Sequence, residues 1–119
     1  MARKSAAEQV SELAATDIEA IKEDMLPQDD VEVTAEFFKA FSDPTRINIV
    51  NALQLHEWLC VTDLASIVGV SKSALSHQLS YLRLNKLVKV KREGRNVYYS
   101  LSDDHVEKVF ALAISHIRE

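Results

Sequence analysis

Glycine and proline are almost missing from this chain, at two residues each in 119. A turn-rich all-β fold needs many more of both, and a phosphate-cradling loop needs its glycines clustered, so both are excluded and helix is expected to dominate. Cysteine is scarcer still: with Cys60 alone, neither a disulfide framework nor a multi-thiolate zinc finger can form within the chain. No apolar run reaches the length of a membrane span, and no signal-peptide pattern appears, so the expected compartment is a reducing cytoplasm with no membrane partner. The length suits one hydrophobic core and is too small for a two-domain enzyme. What is present is ordinary for a protein that folds in water, with 47% hydrophobic and 27% charged residues.

The net charge of −4 conceals an asymmetry. Between Ser71 and Val97 stand Lys72, Arg83, Lys86, Lys89, Lys91, Arg92 and Arg95, opposed only by Glu93. Residues 1–38 carry ten carboxylates against Arg3, Lys4 and Lys22. Phosphate responds to the local field, so a basic stripe on an acidic body can still bind nucleic acid.

Hydrophobic periodicity predicts an amphipathic helix over roughly residues 5–24, with Val10, Leu13, Ala14, Ile18 and Ile21 on one stripe. Pro27 and an acidic stretch interrupt it, and a second helix brings Phe37, Phe38 and Phe41 to the start of the core. This sets an expected boundary, with an amphipathic helix and acidic linker over 1–29 and the main domain over 30–119. Asp43-Pro44 predicts a helix start, because aspartate caps free amides and proline fits the first helical position. That helix should carry Ile47, Val50 and Leu53 inward and end near His56. A short helix over Cys60–Val68 should close at Gly69. Ser71 should then cap a helix buried through Leu75, Leu79 and Leu82, with Lys72, Ser73, Ser76, His77 and Ser80 facing outward. Such a small, polar face can approach another surface closely. From Leu87 the period falls to two, and the turn Glu93-Gly94-Arg95-Asn96 predicts a β-hairpin with a basic tip, followed by a last helix from about Asp103. The expected fold is mainly α with a β-hairpin wing, a winged helix-turn-helix. In such a fold Ser73, Ser76, His77 and Gln78 would meet base edges or nearby phosphates, and Lys72, Lys89, Lys91, Arg92 and Arg95 would neutralise phosphates of double-stranded DNA.

Asp43-Pro44-Thr45-Arg46, Leu59-Cys60-Val61, Ser76-His77-Gln78-Leu79, and Gly94-Arg95 before Val97-Tyr98-Tyr99 together resemble the ArsR/SmtB metal-sensing repressors over roughly residues 34–119. The resemblance implies a homodimer that binds a palindromic operator and releases it when metal binds.

The last helix carries Asp103, His105, His116 and Glu119, the pattern D-x-H-x(10)-H-x-x-E. Eleven residues bring the two histidines to one helix face, about 20° beyond three full turns, but separate them by about 16 Å, whereas both must lie about 2 Å from a shared zinc ion. One helix cannot close that site. Two copies packed antiparallel about a two-fold axis would form two equivalent sites, each with two imidazoles and two carboxylates. That donor set suits zinc, with cobalt tolerated, and four protein ligands leave no open position for catalysis. The pattern also coincides with the zinc site that the resemblance implies. The competing reading is a cap at Asp103 or Asp104 with two ordinary histidines. The resembled family also includes members with a Cys-x-Cys site before the DNA-reading helix. Here Val61 and Thr62 follow Cys60, so a thiolate site is not expected and Cys60 is read as a small buried hydrophobe. The sequence reading is thus a zinc-responsive repressor that is not an enzyme. Cobalt, nickel, cadmium or a non-metal signal are the alternatives.

Overall fold

A computed structural model describes residues 12–119 and divides the chain into two units, Met1–Glu32 and Val33–Glu119. The first unit holds α1 (Ala15–Asp24), and α2 (Gln28–Lys39) begins in it. The sequence predicts a longer first helix. Its expected residues 5–11 lie outside the described part, and Glu12–Ala14 are not helical. Among the described residues Leu13 is exposed and Ala14 makes no side-chain cap.

The second unit contains α3 (Pro44–Leu55), β1 (Leu59–Cys60), α4 (Val61–Val68), α5 (Lys72–Leu84), β2 (Val88–Glu93), β3 (Asn96–Leu101) and α6 (Asp104–Ile117). The starts of α3 and α5 follow local chemistry. The Asp43 carboxylate accepts from the Arg46 N–H at 3.0 Å with Pro44 in the first turn, and the Ser71 hydroxyl accepts from the Ala74 N–H at 3.0 Å. Gly69, at φ +80°, ends α4 as expected.

The strands form an antiparallel sheet in the order β1-β3-β2. β1 is an addition to the expected two-stranded wing: two residues are too few to show an alternating pattern, yet Leu59 and Cys60 pair with Tyr99 and Tyr98. The β2–β3 turn falls where expected: Glu93 pairs with Asn96 and leaves Gly94-Arg95 as its two central residues. Positive φ falls on Gly94 and not on Arg95, as a type II′ hairpin turn requires.

One core joins the helices to the sheet, built from Ile49, Val50 and Leu53 of α3, Leu64 of α4, Leu75, Leu79 and Leu82 of α5, Leu87, Val88 and Leu101 by the sheet, and Val106 and Phe110 of α6. Ile49 takes the place expected for Ile47, which packs at the core margin.

Candidate nucleic-acid interface and metal ligands

With three leucines of α5 fully buried, its opposite side is committed to solvent. Lys72, Ser73, Ser76, His77 and Ser80 are all exposed there, as the sequence predicts. Gln78 differs. It is half-buried, and its Oε1 accepts from Nη1 of Arg46 at 3.1 Å. The same guanidinium donates through Nε to the Ala40 carbonyl at 2.8 Å and through Nη2 to the Lys39 carbonyl at 3.2 Å, and lies 4.3 Å from the centre of the Tyr81 ring. Sequence reasoning missed this arginine because Asp-Pro-Thr-Arg reads first as a helix start. The signal was a long, forked cation placed three residues after the cap.

The wing divides its basic residues between two surfaces. Lys89 and Lys91, two apart on β2, share a face, and their ammonium groups lie 5.5 and 4.3 Å from the centre of the Trp58 ring. Lys91 also pairs with Glu93 at 3.3 Å. Arg92 falls on the other face, and Arg95 sits at the tip beside Gly94; both are exposed. The four of the expected phosphate-directed residues that lie on the wing are therefore split into two lysines with an aromatic neighbour and two arginines exposed at the wing's end.

The four expected metal ligands form two pairs, one at each end of α6. At its start, Nδ1 of His105 is 3.5 Å from Oδ1 of Asp103; at its end, Nδ1 of His116 is 3.3 Å from Oε2 of Glu119. Both imidazoles are more than four-fifths exposed, so the donors face outward and open to another surface. Asp103 also caps the helix, its Oδ1 accepting from the N–H groups of His105 and Val106 at 2.9 and 3.2 Å. Those bonds hold its carboxyl below the ordinary aspartate value, the Val106 N–H contributing most. The cap and the ligand reading are compatible, since both bonds fall on one oxygen. Among the described residues no three metal-ligating side chains gather in one copy. Cys60 is half-buried rather than buried, because it stands where β1 passes into α4 beside the wing.

A sequence model of bacterial regulatory proteins of the arsR family matches residues 43–90, from the cap of α3 into β2. The transcriptional repressor SmtB homolog of Synechocystis is 44% identical over 102 residues, 86% of this chain and 76% of that protein. The cadmium resistance transcriptional regulatory protein CadC homolog of Staphylococcus aureus is 42% identical over 98 residues, 82% of this chain and 80% of its own length. Among solved structures, the homodimeric winged helix-turn-helix DNA-binding domain of a Mycobacterium bovis protein aligns with a TM-score of 0.70 at 28% identity, covering 75% of this chain and 82% of that one.

Proposed function

The chain belongs to the arsR family of bacterial regulatory proteins, which are metal-responsive transcriptional repressors rather than enzymes, and we propose that its particular signal is zinc. The apo protein binds operator DNA as a homodimer, and zinc at two inter-subunit sites releases it. The observation that carries this reading is the placement of one carboxylate–imidazole pair at each end of α6. A single copy cannot bring the pairs together. An antiparallel neighbour can, offering Asp103 and His105 of one chain with His116 and Glu119 of the other. Two nitrogens and two oxygens fit zinc and, close behind it, cobalt. The exposed Leu112 and Ile117 on the same helix give a second copy an apolar surface to cover. DNA meets α5 through Lys72, Ser73, Ser76, His77 and Gln78, and the wing through Lys89, Lys91, Arg92 and Arg95. The place of work is the cytoplasm.

A second reading keeps the repressor and changes the ion, since one relative is named for cadmium resistance. Cadmium favours thiolates, and Cys60 is this chain's only one, which places zinc first. Fluorescence anisotropy of a labelled duplex, selected by the protein from a randomised pool, should rise with apo protein and fall across a series of buffered free-zinc concentrations. Parallel series with cobalt, nickel and cadmium rank the ions. An operator affinity unchanged or raised by saturating zinc would refute release.

A further inference from the structure

At about 100° per residue, Arg83 falls within about 20° of Ser76 around the axis of α5 and one turn beyond Ser80. Both serines lie on the exposed side of that helix, and Arg83 is exposed with them. Lys72 stands at the other end of the same edge, so two cations about 16 Å apart bracket the small side chains. Gln78 and Tyr81, which meet Arg46 of α3, fall on the opposite flank. Lys86 follows at the exit of α5. It is exposed, and its φ of +61° lies where glycine is the ordinary occupant. A side chain retained against such strain points to a use for it. Its N–H donates to the Arg83 carbonyl, which fixes the two positions relative to each other. No aspartate or glutamate occurs between Asp63 and Glu93. Among the described residues neither Arg83 nor Lys86 has an ion-pair partner, unlike Lys22 with Glu19 and Lys91 with Glu93.

The wing begins directly afterwards, with Asn85, Lys86 and Leu87 as the whole connection between α5 and β2. The second helix of a helix-turn-helix lies in the major groove, which is bordered by sugar–phosphate strands. A duplex that meets both the outer side of α5 and the wing's end therefore carries one of those strands past this corner. We infer that Arg83 and Lys86 form a phosphate-binding corner that holds the backbone bordering the groove occupied by α5. The guanidinium can give two N–H bonds to one phosphate, and the ammonium adds a point charge beside it. Such contacts fix register and orientation without reading sequence. This rests on the proposed DNA-reading role of α5 and adds to it a site for the phosphodiester backbone, separate from the base-facing residues and from the wing's tip.

The test uses the full chain on duplexes chosen from a randomised pool. Arg83→Gln and Lys86→Asn, the latter a residue that tolerates positive φ, should each lower the slope of log affinity against log salt by about one. A fourfold rise in salt should then cost each variant about 3.5-fold less affinity than it costs wild type, on every duplex alike. Arg83→Lys keeps the charge and should keep the slope. Single uncharged methylphosphonate linkages, scanned along both strands, locate the contact. Wild type should lose affinity at linkages bordering the groove that α5 faces, and Arg83→Gln should be indifferent to those linkages while remaining sensitive to others. Should one variant fail to fold, the other decides. A wild-type slope in either folded variant, or a weakening confined to particular base sequences, overturns the inference. A wild-type protein that selects no sequence at all would instead overturn the repressor reading beneath it.

Discussion

Lys86 occupies a backbone conformation that suits glycine, with φ +61° just past the end of α5. The Lys86 N–H donates to the Arg83 carbonyl at 3.0 Å and the Leu87 N–H to the Leu82 carbonyl at 2.9 Å, a Schellman closure that turns the chain from α5 into the wing. A side chain with a β-carbon is strained there. Lys86→Gly should raise stability by about 1 kcal/mol in denaturant unfolding while weakening binding to all DNA sequences alike, if the lysine is kept for its charge. Asp103 offers a second separation of roles. Its folded carboxyl titrates below the ordinary value, so the stability it adds is present at neutral pH and lost as the pH falls through that lowered value. Asp103→Asn retains a capping oxygen without the charge; it should lower the melting temperature at neutral pH only by the acid-sensitive part of the stability, remove that acid dependence, and weaken zinc binding in a competition titration. Asp103→Ala should lose the cap and the metal together. The sequence offered Asp103 as a metal ligand with a helix cap as the competing reading, and the structure shows the cap, which follows from its position before a helix. It could not show the bond between Arg46 and Gln78, whose partners are 32 residues apart and meet only once α3 and α5 have packed.

At the scale of elements, the starts of α3 and α5 were legible because side chains beside the boundary make their caps. β1 was not, since two residues become a strand only through a partner 40 positions along the chain. The inward side of α3 was half legible. Ile47 and Ile49 are both apolar, and tertiary packing decides which one is buried. The wing carries a prediction of its own. Lys91 already has Glu93 and the Trp58 ring as neighbours, whereas Arg92 and Arg95 are exposed at the far end. Alanine at Arg92 or Arg95 should therefore lower the slope of log affinity against log salt by about one counterion each, and Lys91→Ala by less. Equal slopes for all three would mean that the lysine leaves its ring and carboxylate when DNA arrives.

At the scale of the assembled molecule, the separation of the two ligand pairs makes a counting experiment decisive. Zinc should bind at one ion per chain, and His105→Ala or His116→Ala should each abolish tight binding in a homodimer. A mixed dimer of the two variants places both lesions in one site and leaves the other whole, so it should bind one ion. Two ions, or none, would exclude sites shared between copies. Coupling between metal and DNA is reciprocal: operator must lower zinc affinity by the factor by which zinc lowers operator affinity, commonly an effect of about 1–3 kcal/mol.

Trp58 is the only tryptophan in the chain, and the two lysines nearest its ring belong to the wing strand. Indole emission responds to the electric field across the ring. A phosphate that draws either ammonium group away changes that field, so the protein carries a built-in optical gauge of wing occupancy. Unlabelled DNA should shift its fluorescence, and a wing that never leaves the ring should keep the spectrum still.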